Sequence, residues 1–172
     1  MSLPAIGVVI PCYKAEHTLR QTVESVLQGA PDNLQLVLVE DGSPDGTGAL
    51  CDALAAQDPR VTALHQPNGG ASAARNAGLD TLCRSGAEWV LFVDADDTIQ
   101  PYATEMLVAR AEESGADLVI AHYNRITPPR PRSEASARPE RPTKVQTFGF
   151  LLEGAMTKEE FAAGLMQEPA SF

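Results

Sequence analysis

Three aspartates stand within four residues in Asp94-Ala95-Asp96-Asp97, directly after the apolar run Trp89-Val90-Leu91-Phe92-Val93. Carboxylates this close repel one another unless a cation or hydrogen-bond donors offset them. A divalent cation with hard oxygen ligands, Mn2+ or Mg2+, suits such a turn. It takes one or two carboxylates and completes its shell with phosphate oxygens and water. Asp94 and Asp96 are the candidate metal ligands, with Asp97 as a further one. The plainer alternative is a solvated acidic turn that caps the next helix. Three aspartates after so apolar a run favour the metal reading.

A second acidic segment, Glu40-Asp41-Gly42-Ser43, also follows an apolar run. The functional reading has Asp41 accept hydrogen bonds from a base or ribose, with Gly42 permitting close backbone approach. The alternative is a β-turn before a helix, capped by Asp45 or Thr47. Both hold together, because a turn is what presents the side chain. Arg75 stands near the start of a small-residue helix after Asn68-Gly69-Gly70. Backbone N–H groups there favour anions, so Arg75 reads as a diphosphate contact; a surface pair with a nearby carboxylate is the competing reading. Tyr13 offers a ring to stack on a base, against ordinary loop packing. His17, His65 and His122 lie in different elements and read as core or surface histidines. No GxGxxG fingerprint and no GxxxxGK[ST] loop occurs, which disfavours a nicotinamide-dependent dehydrogenase.

These loops need elements to carry them. Apolar runs at Ile6–Ile10, Leu34–Val39, Val61–His65, Glu88–Val93 and Asp117–His122 read as strands. Helical spacing or composition predicts helices over Ala15–Gln28, Thr47–Gln57, Ala71–Ser85 and Pro101–Ser114, the last with its proline where the lost N–H costs nothing. Strict β-α alternation with buried-looking strands predicts an α/β domain, a Rossmann-like mostly parallel sheet with helices on both faces. In such a sheet, ligands sit beyond the carboxyl ends of the strands, where the four candidate loops fall. From Thr127 to Lys144 prolines and arginines dominate, which predicts a loop or linker. Val145–Leu152 is a short apolar patch, and Thr157–Met166 reads as an amphipathic helix opened by a Thr157–Glu160 capping box. The expected division is 1–126 core, 127–144 loop and 145–172 a further region.

Composition bounds the rest. At 172 residues and 44% hydrophobic content, one domain with a real core is affordable. Net charge is −10 and pI about 4.6, which argues against a nucleic-acid partner. Cys12, Cys51 and Cys83 are odd in number and lack CxxC spacing, so buried or partly buried free thiols are expected. No apolar run reaches membrane-span length, and the start lacks signal-peptide regions. A cytoplasmic location is therefore expected, with membrane association left open for the parent protein.

Four stretches in order carry a resemblance: Val8-Val9-Ile10-Pro11-Cys12-Tyr13, Val39 to Thr47, Asn68 to Gly78, and Phe92 to Asp97. Together they resemble the family 2 inverting glycosyltransferases, over residues 5 to 123. The resemblance implies the GT-A nucleotide-diphospho-sugar transferase fold. It implies a base pocket of Pro11, Tyr13 and Asp41 with Glu40 beside them, and Asn68, Gly70 and Ala95 within the same nucleotide-sugar site. Arg75 would face the diphosphate. Asp94 and Asp96 would be the DxD pair touching ribose and metal. The donor implied is a nucleotide-diphosphate sugar, a UDP-sugar first. The acceptor is a saccharide, a lipid-linked carrier or a protein. The family's general base comes from a later acidic motif. Nothing around Glu168 resembles that motif, so no catalytic base is named and the chain is expected to be cut short as a donor-binding part. An apolar surface at Gly149–Met156 would then favour a homo-oligomer.

Two rivals stand beside this reading. Val90 to Thr98 also fits the strand and DxDx(T/V) turn of a haloacid-dehalogenase-type phosphatase, with Asp94 as nucleophile and Mg2+ assisting. Against it, that motif normally opens its domain, whereas three β-α units precede it here. The other rival is a non-catalytic module that keeps only the donor pocket.

Overall fold

The computed structural model describes residues 4–121, 123–127 and 144–148. It divides into two units, residues 1–110 and 111–172.

The first unit is built on four parallel strands: β1 (Ile6–Cys12), β2 (Gln35–Asp41), β3 (Val61–Gln66) and β4 (Trp89–Phe92). Their order is β3-β2-β1-β4. The connecting helices are α1 (Leu19–Leu27), α2 (Thr47–Gln57) and α3 (Ala71–Ser85), and α4 (Ala103–Ser114) follows β4. The chain therefore builds outward from β1 to β3, then returns to place β4 on the other side of β1. That reversal opens a crevice at the carboxyl ends of β1 and β4, where a doubly wound sheet binds ligands.

Strand alternation divides the core between two faces. Ile6, Val8, Ile10 and Cys12 point to one face and pack with Leu19, Val23 and Val26 of α1 and Cys51 and Leu54 of α2. Val9, Val37 and Val39 point to the other and pack with Ala74 and Leu82 of α3. Helices cover both faces, as the sequence predicts. Each fully buried Leu, Ile or Val contributes about 1.5–3 kcal/mol over its exposed state. Two glycines let α3 lie close to the sheet. A Cβ on Gly78 would stand 2.4 Å from Val9 Cγ1, and one on Gly7 would stand 2.5 Å from Leu82 Cδ1. α3 stops at Gly86, in the left-handed region at φ +82°, with Ala87 N returning to Leu82 O at 3.1 Å.

In the second unit, Gly115 ends α4 the same way, at φ +66° with Ala116 N bonded to Ala111 O at 3.2 Å. The expected strand Asp117–His122 is not formed over its described part, residues 117–121. Leu118 and Ile120 stand 60% and 44% exposed. An apolar run supplies side chains but not the neighbouring edge that makes a strand, and these residues have no ladder partner among the described residues. The strand after α4 is β5 (Tyr123–Thr127), antiparallel to β6 (Lys144–Phe148). Thr127 and Lys144, the ends of the expected loop, face each other in that ladder. Gly149–Met156 and the expected helix Thr157–Met166 lie outside the described residues. No helix among the described residues is long and apolar enough to cross a membrane.

Candidate functional site

The crevice at the β1–β4 switch is a cleft of about 490 Å³. Pro11 at the end of β1 and Tyr13 just after it form one wall, Asn68 and Gly70 after β3 another, and Asp94, Ala95 and Asp96 after β4 the third. Asp41 and Arg75 also line it. Tyr13 is 46% exposed, so its ring is open to a planar ligand.

The first wall is latched to the loop after β2. Ala15 N donates to Thr47 Oγ1 at 2.8 Å, Gly46 N to Glu16 Oε2 at 2.7 Å, and Lys14 N to Ser43 Oγ at 3.2 Å. Asp45 secures the start of α2: its Oδ1 accepts from Thr47 N and Thr47 Oγ1 at 3.1 and 2.6 Å. Gly46 takes the N-cap position with no side-chain cap bond, so neither Asp45 nor Thr47 is the expected cap; Asp45 instead braces the first residue of the helix.

Asp41 is 3% exposed and spends its carboxylate on the protein. Oδ1 accepts from Gln66 Nε2 at 2.7 Å and Gly69 N at 2.8 Å, and Oδ2 accepts from Gly70 N at 2.8 Å. Burial pushes its pKa up, but these donors outweigh burial and hold it below the usual carboxylate range. The effect is to fix the 66–70 loop, which delivers Gly70 and the start of α3 to the cleft.

Glu40 does not line the cleft. One residue along a strand reverses the side chain, and Glu40 points toward α2. It accepts from Ser43 N and pairs with His65 Nδ1 at 3.5 Å. His65 Nε2 in turn meets Asp52 Oδ1 at 2.8 Å. Burial again raises Glu40, and the Ser43 and His65 bonds bring it net downward.

The acidic turn is exposed and hung on α1. Thr22 Oγ1 donates to Ala95 O at 3.0 Å, and Ile99 N donates to Ser25 Oγ at 3.2 Å. Arg75 Nη2 binds Asp94 Oδ1 at 2.5 Å. Asp97 stands outside the cleft wall. Its pKa is pushed up by burial first, then by Asp96 and Asp94. No set of three or more His, Cys, Asp or Glu side chains is already gathered for a metal among the described residues. The donor set fits a cation that takes one or two carboxylates and fills its shell with phosphate oxygens and water, as Mg2+ and Mn2+ do.

Sequence reasoning missed the latches, the Thr22 and Ser25 anchors, and Lys14 and Thr18 on the cleft wall. Lys14 follows Tyr13 directly, which is the one signal that pointed to it. Of the cysteines, Cys12 and Cys51 are buried and Cys83 is exposed, against the expectation of a buried or partly buried thiol. The neighbouring Cys51 thiol, then burial, pushes the Cys12 thiol up.

Comparison with known proteins gives a consistent answer. Residues 7–169 match the description "Glycosyl transferase family 2". Glycosyltransferase GlyG of Streptococcus pneumoniae is 40% identical over 119 residues, 69% of this chain and 38% of that protein. The chain thus spans well under half the length of this relative. The solved structure of S. aureus TarS 1–349 in complex with UDP-GlcNAc is similar at TM-score 0.55 and 27% identity, covering 64% of this chain and 32% of that one. The mannosyltransferase PcManGT from Pyrobaculum calidifontis, in complex with GDP-Man and Mn2+, shares the fold at TM-score 0.53 and 24% identity, over 70% of this chain and 35% of its own. The expected GT-A fold is borne out. The phosphatase alternative finds no support in these matches.

Proposed function

This chain belongs to glycosyl transferase family 2, and from that premise we propose that its cleft holds a nucleotide-diphosphate sugar for inverting transfer to an acceptor hydroxyl. One observation carries the proposal: a single cleft gathers an open aromatic ring, a helix start with an arginine, and two exposed aspartates. These are the groups that a base, a diphosphate and a metal-bound phosphate each require.

Tyr13 stacks on the base beside Pro11. Asp41 holds the 66–70 loop and keeps a lone pair for base or ribose. Asn68 and Gly70 close that side. Arg75 and the first N–H groups of α3 face the diphosphate. Asp94 touches the ribose and, with Asp96, holds Mn2+ or Mg2+; Asp97 supports the turn, and Ala95 lets the sugar approach. A bound divalent cation offsets the charge that grows on the leaving diphosphate. The acceptor hydroxyl attacks the anomeric carbon from the opposite face and loses its proton to a carboxylate base. No residue here is assigned that base. Because the chain spans 38% of GlyG, transfer belongs to the whole protein, and the property expected of these residues alone is donor binding. A UDP-sugar is the first donor to test, and the acceptor class is a saccharide or a lipid-linked carrier.

Calorimetric titration of UDP with and without Mn2+ tests this, with GDP and a phosphomonoester as controls. Metal-dependent binding of a nucleoside diphosphate that disappears in Asp96→Ala is the expected result. Failure of both nucleotides to bind, or binding indifferent to metal and to Asp96→Ala, would sink the reading.

A further inference from the structure

Lys14 occupies a backbone conformation that lysine seldom adopts. Its φ is +52°, in the left-handed region where Gly, Asn and Asp are at home. Two bonds hold it there, Lys14 N to Ser43 Oγ at 3.2 Å and Ala15 N to Thr47 Oγ1 at 2.8 Å. Strain of this kind persists where the surroundings over-determine it, and it gathers at ligand sites. Here it sets a lysine on the cleft wall, with its ammonium 5.2 Å from the centre of the Tyr13 ring.

The charges on the wall give a second, independent argument. Asp41, Asp94 and Asp96 share the wall with two cations, Arg75 and Lys14. Arg75 is bound to Asp94 at 2.5 Å, and Asp41 is occupied by three N–H donors. Lys14 forms no ion pair with any described carboxylate. In a chain of net charge −10, a polyanionic ligand approaches against the field unless a local cation receives it. A lysine ammonium on a flexible stem suits phosphate as a point charge.

We propose that Lys14 binds the diphosphate of the donor nucleotide, its ammonium leaving the Tyr13 ring for the phosphate oxygens as the base takes up the ring. The proposal rests on the donor reading of the same cleft. It makes Lys14, rather than Arg75 alone, the residue that tells a nucleoside diphosphate from a nucleoside.

The test titrates UDP and uridine, with Mn2+ present, into the unaltered chain, Lys14→Asn, Lys14→Gly and Lys14→Arg. Asn and Gly both accept a left-handed φ, so their thermal midpoints should not fall. Lys14→Asn and Lys14→Gly should each weaken UDP about tenfold, the size of one lost charge-assisted contact. Uridine affinity should stay level, and Lys14→Arg should keep most of the UDP affinity. Undiminished UDP binding in Lys14→Asn and Lys14→Gly would overturn the proposal, as would an equal loss of UDP and uridine, which would put Lys14 at the base. With UDP binding by the unaltered chain intact and lost in Asp96→Ala, those outcomes leave the donor reading standing. No UDP binding by the unaltered chain removes both.

Discussion

Asp41 ends one strand of the parallel sheet and Asp96 follows another, and both line the same cleft, yet their surroundings are opposite. Asp41 is buried and accepts three N–H bonds from the 66–70 loop. Asp96 is exposed, and no hydrogen bond to its carboxylate appears among the described residues. Asp41 has its ionised form stabilised by the protein; across the cleft Asp94 is paired with Arg75, Asp96 has no such partner among the described residues, and the pKa of Asp97 is pushed up. One carboxylate builds the wall. Asp96 stands in it with its charge open to a cation.

Stability separates the two most widely. Asp41→Ala strands the N–H groups of Gly69 and Gly70 and frees the loop that delivers α3, and should cost about 2 kcal/mol. Asp96→Ala removes a charge from a crowded exposed turn and should change stability by under about 0.5 kcal/mol in either direction. Urea midpoints of the two variants against the unaltered chain measure this. Equal losses would erase the distinction between wall and ligand carboxylate.

Acid sharpens the same contrast. Asp41 has a lowered pKa in the folded state, so its contribution is present above the ordinary carboxylate pKa and is lost as pH falls through the lower folded value. Asp41→Asn keeps the shape but turns an amide N–H toward the N–H of a neighbouring glycine. The gap in thermal midpoint between the unaltered chain and Asp41→Asn should be widest near pH 7 and should narrow as pH falls below about 4. A gap that stays constant down to pH 3 would mean that Asp41 is not an ionised hub.

The comparison also marks what the sequence could reveal. α2 and α3 fall on their expected bounds, Thr47–Gln57 and Ala71–Ser85, because local chemistry writes both ends: Asp45 and Gly46 open one, and Gly70 and Gly86 enclose the other. The cleft loops were legible because a parallel strand points its carboxyl end at the ligand. Glu40 lies off the cleft wall despite its adjacency to Asp41, since alternation on β2 sends neighbours to opposite faces. The latches from Ser43 and Thr47 to the Tyr13–Ala15 turn join residues 29 and 32 apart in sequence, and no local pattern encodes them. The strand expected at Asp117–His122 does not form over residues 117–121 because side-chain pattern is local and a ladder partner is not.

The smallest expected effect lies behind the wall, at His65. Its pKa is raised by the bond to Asp52 first, against burial, with Glu40 adding to the rise. A raised histidine contributes stability that is full below its ordinary pKa and disappears as pH rises through the folded value. The side chains of His65 and Asp52 are 46% and 65% exposed, so solvent screens the pair. The contribution should be at most about 0.5 kcal/mol. Asp52→Asn should therefore lower the thermal midpoint slightly at pH 6 and not at pH 9, and nuclear magnetic resonance titration of the His65 ring should show its pKa moving down. Because Glu40 reaches Ser43 and Ser43 reaches Lys14, the same variant also measures how stiff the wall is. UDP affinity unchanged in Asp52→Asn means that the latches alone hold the Lys14 turn. A loss of UDP affinity that grows from pH 6 to pH 9 in the unaltered chain, and is absent in Asp52→Asn, would instead extend the wall to the charged histidine behind it.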